Sequence, residues 1–121
     1  MLYSIDSNSE ITSIPHRNDY DRWRSHLTDQ EYQAIIGELN RRIAGTEIQT
    51  SSWIPDADWT GTVFQPIYDK SCGQDEEAAA KFFGLLVWDA FMQHPDWWSF
   101  GRYEKDGTPI QGLTYFKIQG P

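Results

Sequence analysis

Between Asp75 and His94 runs the segment that most limits what this chain can fold into. Asp75-Glu76-Glu77 places carboxylates where the positive end of a helix dipole favours them. Pro95 stops a helix on the far side. The body between them is apolar on nearly every side: Ala78, Ala79, Phe82, Phe83, Leu85, Leu86, Val87, Trp88, Ala90, Phe91 and Met92. A helix without a polar face has to sit in the middle of a structure. It is not a membrane span, because its longest apolar run, Phe82 to Met92, is broken by Asp89 and reaches about half of the ~20 residues a span needs. The remaining chain must therefore cover it. At 121 residues the chain is one domain's worth, long enough to bury roughly two-thirds of its unfolded surface.

A second helix is legible just upstream. Thr28 and Glu31 form a T-x-x-E capping box, and Leu27 stands where a hydrophobic staple would meet Tyr32. Tyr32, Ile35, Ile36, Leu39 and Ile43 then repeat at helical spacing, with Arg41 and Arg42 near the negative end and Gly45 placed to stop it. Asn18 is a candidate cap for a shorter helix running to about His26. Residues 1–14 alternate loosely around Ser7-Asn8-Ser9, as a short hairpin or a mobile arm would. Glu47 to Ile54 alternates enough for a strand, and Pro66 opens a helical turn ending near Gly73.

The C-terminal segment reads as a hairpin over about 97–118, turning at Asp106-Gly107. With that pair as the loop, Tyr103 faces Ile110, Gly101 faces Gly112, Phe100 faces Leu113 and Trp98 faces Tyr115. Both faces are apolar or aromatic, so one packs on the central helix and the other needs a further cover. The expected class is α+β: two main helices, about 28–44 and 75–94, on a small antiparallel sheet ending in that hairpin, all in one domain over 1–121. A helix followed directly by a hairpin over 75–118 resembles a winged-helix domain in the order of its elements.

Charge narrows the function. The formal net charge is −8, from 18 acids against 10 bases. Residues 46–96 hold nine of the acids and two of the bases. Such a balance argues against nucleic acid as a partner, the usual ligand of a winged helix, because phosphates must be neutralised by Lys and Arg. It suits solubility or the steering of a basic protein. The N-terminus has no basic region leading into an apolar run, so no signal peptide is expected. With the single Cys72, this gives an expectation of a cytoplasmic protein without membrane attachment.

Few residues suggest chemistry. His16, His26 and His94 have no second His at helical spacing, so no helical zinc pair exists. Asp19 with Asp21, and Asp56 with Asp58, have spacings seen in cation sites but lack the glycine and distal Glu of a calcium loop. No metal or cofactor is expected. Cys72 with His94 could be a nucleophile pair, and His94 with Asp96 an acid–base pair, though neither has a supporting motif. His16, Arg17, Arg22 and Arg24, with Tyr20 and Trp23 interleaved, have the composition of a single-strand platform or of a helix whose arginines pair with Asp19 and Asp21.

Six tryptophans in 121 residues exceed what a small core comfortably encloses. Trp53 and Trp59 flank the acidic loop containing Asp56 and Asp58. The leading expectation is a non-enzymatic, acidic, aromatic-rich protein-binding module, inhibitor- or immunity-like in physical character. It would bind a basic protein through Trp53, Asp56, Asp58, Trp59, Trp98 and Tyr115. The alternative is a small-molecule-binding or hydrolytic domain, with a pocket lined by Trp53, Trp59, Trp88 and Trp98 and with His94 or Asp96 as its polar group. A homodimer covering the spare hairpin face fits either.

Overall fold

The computed structural model describes residues 1–5, 7–43, 48–50, 62–101, 104–105, 108–109 and 114–119. In chain order its elements are β1 (Leu2–Ser4), β2 (Ser9–Ile11), α1 (Arg17–Arg24), α2 (Asp29–Ile43), β3 (Ile48–Thr50), a π-type turn (Ile67–Ser71), α3 (Glu76–Gln93), β4 (Trp98–Gly101), β5 (Glu104–Lys105), β6 (Thr108–Pro109) and β7 (Thr114–Lys117). The class is α+β. No helix among the described residues is long and apolar enough to cross a membrane.

Helix α3 is central, as its composition demands. Asp75 caps it, accepting from the Glu77 and Ala78 amides at 3.0 and 3.1 Å. Phe82, Phe83, Leu86, Val87, Ala90 and Phe91 are each at most 1% exposed. Each side of the helix meets a different aromatic neighbour. Tyr20 and Trp23 of α1 stand 5.8 and 5.7 Å from Phe82. Phe64, just ahead of the π-type turn, meets Phe83 edge-on at 5.2 Å. The sheet supplies Trp98 and Tyr115, at 5.0 and 4.0 Å from Phe91.

Helix α2 starts as the capping box predicts. The Thr28 amide donates to Glu31 Oε1 at 2.9 Å, and the Glu31 amide donates to Thr28 Oγ1 at 3.1 Å. Its buried stripe is Ile35, Ile36, Leu39 and Ile43. Helix α1 starts earlier than expected. His16, in a left-handed conformation with φ 53°, occupies the cap position without a side-chain bond, and Asn18 lies inside the first turn. Burial of Tyr20 and Trp23 against α3 holds this helix in place of a side-chain cap.

The main sheet has five strands in the order β2-β1-β4-β7-β3. It is mixed rather than purely antiparallel, because β1 runs parallel to β4 with Leu2 opposite Trp98. Strands β1 and β2 pair antiparallel at one sheet edge, with Leu2 opposite Ile11. The Trp98 amide donates to the Met1 carbonyl at 2.9 Å, and Ser99 Oγ donates to the Tyr3 carbonyl at 2.7 Å.

The C-terminal strands do not keep their expected register; the expected turn at Asp106-Gly107 and the pair Tyr103 with Ile110 lie outside the described residues. Glu104 pairs with Pro109 and Lys105 with Thr108, leaving 106–107 between them. Further in, Trp98 pairs with Lys117, Phe100 with Tyr115 and Gly101 with Thr114. The expected pairs were Trp98 with Tyr115, Phe100 with Leu113 and Gly101 with Gly112. The inner ladder is thus offset by two residues from the tip. An even offset leaves every side chain on its own face, so the core does not oppose it. Trp98, Phe100 and Tyr115 share the face against α3, and Trp88 meets Phe100 at 4.7 Å. Trp97, just ahead of β4, lies edge-on to Tyr3 of the neighbouring strand at 6.2 Å.

Candidate functional site

The surface charge is unevenly committed. Each described Arg and Lys side chain lies within 3.4 Å of a carboxylate. Arg17 and Arg22 reach Asp21 and Asp19 along α1. Arg24 reaches Asp29, and Arg41 and Arg42 share Glu38. Lys70 closes on Glu31 at 2.7 Å, so one carboxylate serves both the α2 capping box and the π-type turn. Those partners hold the Glu31 carboxyl below its ordinary range, Lys70 foremost. Arg41 and Arg42 similarly hold Glu38 down at about 2. Exposed Glu10, Asp69 and Asp75 have no Lys or Arg partner among the described residues.

The expected binding residues divide. Trp53, Asp56, Asp58 and Trp59 lie outside the described residues. Trp98 and Tyr115 are 2% and 1% exposed and pack on Phe91, so neither offers a ring to a partner. Their assignment to a contact surface is corrected to the core. Trp88 is also buried, with its indole donating to the Ser13 carbonyl at 3.2 Å. Of the four rings suggested for a Trp-lined pocket, Trp88 and Trp98 are therefore core rings.

No family model, curated protein or solved structure matches this chain.

The basic-aromatic patch does not form a stacking platform. Tyr20 and Trp23 are buried, and the arginines between them are engaged by acids. Asp19 and Asp21 are likewise taken up by Arg22 and Arg17. No group of three His, Cys, Asp or Glu among the described residues is placed to hold a metal. Cys72 is buried, and burial together with Asp75 pushes its thiol up to about 11, the reverse of an activated nucleophile.

One polar cluster escaped the sequence reading. Asp89 is buried on α3 and accepts from Tyr20 of α1 at 2.7 Å, from Tyr32 of α2, and from Gln93 at 2.7 Å. Gln93 also donates to the Tyr32 hydroxyl at 2.9 Å. Burial, then the bond to Asp89, raises both phenols above their ordinary range. Three fixed donors engage the carboxylate, which ties three helices together. Its signal in the sequence was a lone acid inside an otherwise apolar run, with Gln93 at i+4. Such a residue must find donors on whatever packs against the helix.

The remaining cluster is at the α3–β4 corner. His94 Nδ1 accepts from the Asp96 amide at 3.1 Å and from the Trp98 indole at 3.4 Å. Asp96 Oδ2 lies 4.0 Å from that same nitrogen and 3.4 Å from Lys117 Nζ. The expected pairing of His94 with Asp96 is therefore mainly a contact to the Asp96 backbone.

Proposed function

We propose that the chain is a non-enzymatic protein-binding module that engages a basic protein partner. The observation that carries this reading is the commitment of every described Lys and Arg side chain to an internal carboxylate. An anionic ligand would have to displace one of those acids to find a cation there. A cationic ligand meets the surplus directly, and the net charge of −8 steers it. The acid-rich stretch that begins with Trp53, Asp56, Asp58 and Trp59 and continues to Asp69 and Asp75 is assigned to the contact, with the two indoles as anchors. A second copy of the chain is disfavoured as the occupant, since it would bring like charge against like.

The test is affinity capture with the Asp56→Ala, Asp58→Ala, Trp59→Ala triple variant beside the unsubstituted chain. Capture of a basic protein should be lost while the melting curve is retained. Undiminished capture by a folded triple variant removes this stretch from the contact.

A further inference from the structure

We propose that His94 is a pH-operated latch on the α3–β4 corner. In its neutral state Nδ1 accepts from the Asp96 amide and the Trp98 indole. On taking a proton it gives up both bonds, donates instead to the Asp96 carboxylate and loosens the attachment of β4. Two N–H groups point at one ring nitrogen, 3.1 and 3.4 Å away, and a nitrogen that carries its own hydrogen cannot accept either. The observed geometry therefore belongs to the neutral ring, with its hydrogen on Nε2.

The alternative partner is already beside it. Asp96 Oδ2, 4.0 Å from Nδ1, needs only a small turn of either side chain to accept from a protonated ring. Lys117 holds that oxygen at 3.4 Å and would compete for it. The other charged groups acting on the corner are the Met1 amino group, which donates to the His94 and Asp96 carbonyls, and Glu10 of β2, whose charge acts on that amino group. Burial lowers the His94 pKa below 6.5, Asp96 opposes this, and the Met1 amino group and Lys117 add to it.

The latch holds a central residue. Trp98 packs on Phe91 and joins β4 to β1 through its amide, so release of its indole is felt at the junction of helix and sheet. Folding favours the neutral ring, so this contribution to stability is full above pH 6.5 and declines as pH falls below it.

The experiment is an NMR titration of the full chain from neutral to mildly acidic pH. It tracks the His94 ring and the tryptophan indole N–H signals. The His94 midpoint should lie below the ordinary 6.5, and the Trp98 indole signal should move with that same midpoint. Asp96→Asn should shift the His94 midpoint lower still. His94→Asn keeps an acceptor near the position of Nδ1 and should leave the Trp98 signal insensitive to pH in this range. A His94 midpoint at or above 6.5, or a Trp98 signal that does not move with it, overturns the latch without touching the binding proposal.

Discussion

Asp89 shows how much one residue can decide in a core this aromatic. Its carboxylate collects the Tyr20 and Tyr32 hydroxyls and the Gln93 amide, so three helices share one acceptor. Asp89→Ala would leave the buried Tyr20 hydroxyl and the half-buried Tyr32 hydroxyl without their acceptor and should cost about 3 kcal/mol. Tyr20→Phe removes one donor and should cost about 1 kcal/mol. The double variant should cost less than the sum, because both substitutions break the same network. Denaturant midpoints at constant m-value measure all three. Cys72 makes the opposite point. Its thiol, buried and raised to about 11, should react slowly with a disulfide reagent at neutral pH and fully once the chain is unfolded. Native-state labelling as fast as denatured-state labelling would contradict that burial.

At the scale of elements, the most legible parts were those whose local chemistry agreed with their burial. The capping box of α2 formed where its side chains predicted, and α3 started at the acids expected there for the helix dipole, with Asp75 acting as its cap. Thr28→Ala and Asp75→Ala should each cost about 1 kcal/mol in thermal or chemical melts. Asn18 was misleading because a good capping residue inside a buried aromatic segment is outweighed by the packing of Tyr20 and Trp23. The hairpin register differed because an Asp-Gly turn governs only its own flanks. The ladder further in is governed by which ring stacks on Phe91, and Tyr115 does so with planes 11° apart. The parallel partner β1 had no sequence signal, since the residues it joins are separated by nearly the whole chain. The α2 C-terminal ion pairs supply an acid-side prediction. Glu38 is held at about 2 against an ordinary 4.5, so its contribution to stability is full above pH 4.5 and is lost as pH falls towards 2. The stability difference between the unsubstituted chain and Glu38→Gln should shrink across that window.

For the whole molecule, class and central helix could be read from the order and polarity of the segments, whereas the contact surface could be read only in part. Trp98 and Tyr115 resemble interface anchors in composition, yet an antiparallel pair with one face on a helix spends its large rings on the core. Charge survives the change of scale better than aromaticity does. The pairing of each described Lys and Arg side chain with an acid is a property of the folded surface, and along the sequence the excess of acids is concentrated in residues 46–96. The most direct test is the affinity for the captured protein measured across a series of salt concentrations. A basic partner whose binding weakens steadily as salt rises, mainly through a slower association rate, is the expected result. A partner that is acidic or a nucleic acid, or an affinity indifferent to salt, would contradict it.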